Sequence, residues 1–282
     1  GYGLTGNILT VELAVESTPG PLTADVLPVV SLSELPAALE AAEREWTFVH
    51  SWHDLRPRQS RPFGPGYLQV SRFADGSTPE DQRTETAMTL EAGRRAFLPM
   101  SLLRGPTVRA MNAVHGFRLG RDAREGARTV SLFDSQFPIA GLELYFYLFG
   151  RRGFGEHQVV VPHASFADWA ERLHSHLRQW PIPITLGSAK TFGAPQKLLS
   201  FSGDGVCFAI NIPRIRGARR LLEFLDNLTV EVGGRPNLIK DSRLPREVVD
   251  ATYLEADAFR AGRREFDPLR RYRSELSERL AL

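Results

Sequence analysis

The sequence predicts an α+β protein built on a ferredoxin-like antiparallel sheet with helices on one face. Three observations carry that expectation. Residues 155–161, 183–191 and 206–212 read as short strands. Residues 165–180 and 216–232 repeat their apolar positions at helical spacing. The order across residues 155–240 is β-α-β-β-α-β, the split βαβ pattern.

Taken from the start, residues 7–16 alternate Leu9, Val11, Leu13 and Val15, which predicts a strand with one better-buried side. A Pro/Gly-containing break at 17–21 ends it. Ser31 with Glu34 three residues on forms a capping box, so a helix is expected over about 32–44. Residues 46–52 read as a strand. From 56 to about 128 the pattern is irregular, with a polar loop at 75–86. Residues 142–149 are strongly apolar, and periodicity leaves strand and buried helix open there. Ser165 and Asp168 start the next helix, whose inward face is Phe166, Trp169, Ala170, Leu173 and Leu177. The helix at 216–232 turns Leu221, Leu222, Leu225, Leu228 and Val232 inward, and Gly233-Gly234 supplies its left-handed end. A strand at 235–240 follows, then a helix over 245–264, a stop at Asp267-Pro268, and a helix over 271–280. No internal repeat is expected.

Composition narrows the function classes. A chain of 282 residues with net charge +2 and 42% hydrophobic residues can bury a core and is not disordered. One cysteine, Cys207, excludes a disulfide framework and a cysteine-based zinc site. With 35 basic residues against 33 acidic ones, a general nucleic-acid surface is not expected. Gly1 to Gly6 fits G-x-G-x-x-G in letters only, because a strand rather than a helix should follow, and a dinucleotide site needs the helix N-terminus. His50, His53, His174 and His176 stand at spacings that make no metal set. Between Glu91 and Asp122 stand Arg94, Arg95, Arg104, Arg109, Arg118 and Arg121 with apolar residues between them and no acid. That segment is either a solvated irregular stretch or a flap for an anionic lipid surface or a phosphate.

The lysines are more telling. Only Lys190, Lys197 and Lys240 break the arginine habit of the chain, and a retained lysine offers a compact ammonium where a planar guanidinium does not fit. Lys190 and Lys240 are each expected at the end of a strand of one sheet. Glu156 and Gln158 alternate on a strand, share a face, and with Lys190 can line a polar floor. Cys207 lies inside an apolar strand, as a structural cysteine does.

Several stretches together resemble a known family. These are Gly233 to Arg243 (GGRPNLIKDSR), Tyr253, Arg263-Arg264, Asp267-Pro268 and residues 274–280 at the end, preceded by Gly3 to Gly6, residues 46–54 (WTFVHSWHD), residues 155–162 (GEHQVVVP), Ala189 to Gly193 and Asn211 to Pro213. In order and spacing they resemble the decaprenylphosphoryl-ribose 2′-oxidases, within the vanillyl-alcohol-oxidase type of FAD-linked oxidases. The resemblance implies three parts: residues 1–18 as the last strand of an FAD-binding domain, 19–233 as a substrate-binding cap domain, and 234–282 as the return to the FAD-binding domain. It also implies that most of the FAD-binding segment lies outside this chain, which is then incomplete and inactive alone.

The implied chemistry is oxidation of a sugar's secondary alcohol, in a polyprenyl-phosphate-linked pentose serving cell-wall arabinan, with hydride passing to flavin N5. Carried over residue by residue, Lys240 is the catalytic lysine beside the flavin, and Asn7, Ile8 and Asn237 join it as FAD contacts. Trp52, Glu156, Gln158, Lys190 and Cys207 fall at substrate positions. Glu156 stands where the family has glutamine, Asn237 where it has a flavin-contacting tyrosine, Cys207 near a family asparagine, and Gln136 where a tyrosine is expected. A charged Glu156 would disfavour a nearby phosphate. The implied partners are a small or lipid-linked sugar, the missing FAD-binding segment, a peripheral membrane contact and a reductase. The implied setting is bacterial, in the cytoplasm or at the membrane face. A soluble alditol or aldonolactone oxidase and a flavin-free binding module are the alternatives.

Overall fold

A computed structural model describes residues 2–15, 20–57, 62–74, 98–137, 143–240 and 243–282. The strands are β1 (Leu22–Val29), β2 (Phe48–His53), β3 (Gly66–Phe73), β4 (Arg128–Val130), β5 (Phe154–Val161), β6 (Leu186–Phe192), β7 (Gly205–Pro213) and β8 (Arg235–Pro236). The helices are α1 (Leu35–Glu43), α2 (Gly105–Glu125), α3 (Leu132–Gln136), α4 (Glu143–Tyr147), α5 (Phe166–Gln179), α6 (Ala218–Glu231), α7 (Arg246–Thr252), α8 (Ala256–Phe266) and α9 (Glu275–Arg279). The class is α+β, as expected. All strands join one antiparallel sheet in the order β4-β1-β3-β2-β6-β7-β5-β8.

That order holds two copies of one pattern. The second half runs β8-β5-β7-β6, the split βαβ arrangement read from the sequence. The first half runs β4-β1-β3-β2, the same strand order built from β1-α1-β2-β3-α2-β4, although its two helices lie on opposite faces. The expectation of no repeat is therefore corrected at the level of topology. The halves meet edge to edge at a single bridge, His53 opposite Gly187. A Cβ at Gly187 would stand 2.9 Å from Leu55 Cδ1 and 3.2 Å from the His53 carbonyl, so glycine permits the approach. The seam gains a second bond where the Ala189 amide donates to Ser51 Oγ at 2.9 Å.

One face of the sheet carries the main core. Alternate residues of the strands, including Leu68, Val70, Val159, Val161, Val206, Phe208 and Ile210, meet Leu35 and Leu39 of α1, Phe166, Trp169 and Leu173 of α5, and Leu221, Leu225 and Leu228 of α6. Each fully buried aliphatic or aromatic side chain there contributes about 1.5–3 kcal/mol of transfer free energy. Helix α2 lies on the other face, where Leu119 packs on Val26 and Trp52 with Leu186 of β6 against them, and Asn112 Nδ2 donates to the Ile184 carbonyl at 3.3 Å. A second core gathers Leu4, Leu199 and Leu238 with Leu244, Val249, Tyr253, Phe259 and Leu280. There Asp267 accepts from the amides of Arg271 and Tyr272, which explains the stop between α8 and α9.

Several local expectations differ from the structure. Residues 7–15 form no strand or helix, and Leu9, Val11, Leu13 and Val15 are exposed, because no neighbouring strand among the described residues pairs with them. The helix at 32–44 opens with a 3-10 turn, Leu32–Glu34, and Ser31 Oγ bonds Ser33 Oγ instead of a helix amide, so the capping box does not form. Residues 56–128 hold β3 and the 21-residue α2, neither of them expected. The open assignment at 142–149 resolves as helix over Glu143–Tyr147. The strand at 235–240 stops at Pro236, so Lys240 sits in the turn beyond it. The helix at 245–264 breaks at residues 253–255. The polar loop at 75–86, Arg94 and Arg95 lie outside the described residues.

Candidate active-site face

The strand register settles which side chains share the sheet face opposite the main core. In β5 the residues Val159 and Val161 point into that core, so Glu156 and Gln158 point away from it. By the same alternation Lys190 and Ser188 of β6, Cys207 and Ala209 of β7, and His50 and Trp52 of β2 share the opposite face. Lys190 stands opposite Cys207, which stands opposite Val160; two positions along, Ser188, Ala209 and Gln158 form the next row; then come Leu186, Asn211 and Glu156. Alongside the first two of these rows lies a cavity of about 570 Å3 lined by His50, Gln136, Gln158, Lys190, Cys207 and Ala209, among others.

Asn237, just past β8, ties the following turn to this floor. Its amide donates to the Gln158 carbonyl at 2.8 Å, and its Nδ2 donates to Gln158 Oε1 at 2.6 Å. Its Oδ1 accepts from the Ile239 amide at 3.0 Å, and its carbonyl accepts from the Lys240 amide at 3.3 Å. The turn thereby sets Lys240 Nζ 3.5 Å from Glu156 Oε1, with the lysine side chain 48% and the glutamate 20% exposed. The sequence-level concern that a charged Glu156 would repel phosphate is thus offset by its own counter-ion. A pair this accessible adds at most about 1 kcal/mol to stability, so what it achieves is orientation.

The surrounding titrating groups follow from burial. Cys207 is 2% exposed, and burial pushes its thiol up to about 12, with Lys190 drawing it down and Glu156 raising it further. A thiol so held is no nucleophile near neutral pH. His50 is held below the usual histidine range first by burial and then by the Lys190 charge, so its ring is neutral. Tyr145 is raised by burial; its hydroxyl meets Thr185 Oγ1 at 2.8 Å and accepts from Asn211 Nδ2 at 3.2 Å, beside Glu156.

The structure brings Glu156, Gln158, Lys190, Cys207, Asn237 and Lys240 to one face. Trp52 shares the face but is closed off: its ring meets His115 of α2 edge-on, centroids 4.8 Å apart, above Gly116. Asn7 and Ile8 lie in the exposed irregular segment, Ile8 at 83% exposure. His50 and Tyr145 belong to the site and were not singled out for it. The i, i+2 relation of His50 to Trp52 is a signal for the first; for Tyr145 the chain offers none, since α4 joins residues distant in sequence. Among the described residues no group of three metal-ligating side chains forms, and no helix is long and apolar enough to cross a membrane.

Comparison with known proteins yields no matching family model. The whole chain aligns at 28% identity with 79% of a Streptomyces coelicolor protein described as an uncharacterized protein in the mprA 5′ region. It aligns at 30% identity with the decaprenylphosphoryl-beta-D-ribose oxidase of Mycolicibacterium smegmatis, again over the whole chain, and spans 62% of that oxidase's length.

Proposed function

We propose that this chain is the substrate-facing part of an FAD-linked oxidoreductase that oxidises a secondary alcohol of a polyprenyl-phosphate-linked pentose. The observation that carries the reading is the Lys240–Glu156 pair, held at the edge of a polar sheet face by the Asn237–Gln158 bonds. The similarity to an oxidase of decaprenylphosphoryl ribose supports it. In this reading residues 1–18 and 234–282 belong to the FAD-binding unit and 19–233 to the cap. The packing of Leu4 with Leu238 and the C-terminal helices favours that division.

The donors present fit the ring end of FAD: a half-exposed ammonium stands next to the exposed apolar side chain of Ile239. Bound FAD supplies the hydride acceptor and a developing negative charge, for which the Lys240 ammonium is the fixed counter-charge. Glu156 keeps that ammonium oriented and, ionised, accepts a hydrogen bond from a sugar hydroxyl. Gln158, which lines the cavity, has its oxygen engaged by Asn237, which leaves its own amide N–H groups to donate. Lys190 sets a second positive charge at the far row, and neutral His50 borders it. An acceptor or reductase would take the electrons, and the working place is the cytoplasm or the membrane face.

The test uses the full-length protein loaded with FAD and mixed without oxygen with a polyprenyl-phosphoryl pentose or with free pentitols. Loss of the flavin's visible absorbance with the lipid-linked sugar is expected. Bleaching by free polyols alone would move the assignment to a soluble alditol oxidase. A protein that retains no flavin would overturn the oxidase reading altogether.

A further inference from the structure

Beyond Glu156, away from Lys190, a cleft of about 870 Å3 lies between the start of β5, the end of β7 and the first turn of α6. Its walls carry Arg152, Arg214, Arg216, Arg219, Arg243 and Lys240, against the single carboxylate of Glu156. In a chain whose net charge is only +2, this is a strong local excess. Three of the six cations are neutralised: Lys240 by Glu156, Arg219 by Glu223 at 2.7 Å, and Arg243 by Asp226 at 2.5 Å. Arg152, Arg214 and Arg216 have no carboxylate within ion-pair distance among the described residues.

The backbone explains why those three converge. Phe154 pairs with Pro213, so the turn entering β5 and the turn leaving β7 lie side by side, and the Arg214 amide donates to the Gly153 carbonyl at 3.2 Å. The chain then turns through Ile215 and Arg216 to Gly217, whose φ of +92° starts α6 without a capping side chain. Three guanidiniums on adjoining turns repel one another unless an anion sits among them. The cleft is not purely polar, since Phe154, Ile212, Ile215 and Leu222 form its floor.

We propose that this cleft seats the phosphate of an amphiphilic phosphate ester. Arg152, Arg214 and Arg216 take the phosphate oxygens, and the apolar floor takes the attached hydrocarbon. Guanidinium suits this role, since its planar fork meets phosphate oxygens in pairs. The meaning of the site for catalysis rests on the oxidase reading above, because it places a phosphate next to Lys240; binding itself needs no flavin.

The experiment titrates the full chain, without flavin, with farnesyl phosphate, farnesol and inorganic phosphate by calorimetry at low and high salt. Farnesyl phosphate is expected to bind saturably and more weakly in salt, inorganic phosphate to compete, and farnesol to show no saturable binding. Replacing Arg152, Arg214 and Arg216 together by Gln should weaken binding by about tenfold or more, from the loss of charge-assisted bonds. Arg178→Gln, an exposed arginine on α5, should leave it unchanged. Equal affinity of the triple variant and the parent, or saturable farnesol binding indifferent to salt, overturns the site. Farnesyl phosphate binding no tighter than inorganic phosphate overturns the amphiphile and leaves a soluble phosphate ester as ligand. Phosphate binding that persists while no lipid-linked sugar bleaches the FAD-loaded protein keeps this site and refutes the oxidase reading alone.

Discussion

Tyr253→Phe tests how the lysine-bearing turn is held. The Tyr253 hydroxyl is buried and donates to the Pro236 carbonyl at 2.6 Å, immediately before Asn237. Burial raises the phenol, so it stays protonated and a donor throughout the physiological range. Removing one oxygen leaves the ring's packing in the second core but strips a buried carbonyl of its donor, a loss of about 1–3 kcal/mol. For a chain of this size each kcal/mol lowers Tm by about 2 °C, so a fall of roughly 2–6 °C is expected. Calorimetric melting measures it. Hydrogen exchange localises it, because the Asn237 amide, bonded to the Gln158 carbonyl at 2.8 Å, should exchange faster in the variant. An unchanged Tm together with unchanged exchange at Asn237 would refute the idea that this hydroxyl anchors the turn.

Three further outcomes are expected. Burial lowers His53 to about 4 and His157 to about 3, so the unfolded chain binds more protons than the folded one between those values and the ordinary histidine pKa. Stability is then full above about pH 6.5 and falls as pH drops toward the folded values, by about 2 kcal/mol per histidine at pH 5; melts at pH 7.5 and pH 5 with the same Tm would contradict it. Cys207 should resist thiol reagents in the native state at pH 8 and react once unfolded; rapid stoichiometric labelling of the folded chain would refute its burial and raised pKa. Gly66→Ala places a Cβ 2.0 Å from the Trp52 carbonyl, so β2 and β3 must part, and denaturant unfolding should show a loss of about 1–3 kcal/mol; wild-type stability would contradict the close approach.

How much of this was legible depended on how regular each segment is. Helices α5 and α6 and strands β5 and β7 carry unbroken apolar periodicity, and the face shared by Glu156, Gln158 and Lys190 follows from strand alternation alone. Helix α2 was hidden because it buries only Val108, Asn112 and Leu119 and contains Gly116 and Gly120, so its period is faint. Strand β3 alternates Tyr67, Gln69 and Ser71 against Leu68 and Val70, but lay inside a stretch dominated by polar residues. The alternation at 7–15 is real in the sequence, yet alternation asks for a partner strand and cannot supply one. The duplicated topology leaves no sequence trace, since a fold repeat needs only matching polarity. The arginine cleft joins residues 152, 214, 216 and 243, and only the antiparallel pairing of β5 with β7 brings the first three together.

The central claim is that the Lys240 ammonium faces the reacting centre of a flavin oxidase. The most direct measurement is the rate of anaerobic flavin bleaching by the lipid-linked sugar in the FAD-loaded full-length protein, parent against Lys240→Ala. The account predicts at least about a hundredfold slower bleaching, as for loss of one preorganised charge donor, with FAD still bound. Bleaching of the variant at the parent's rate would contradict it.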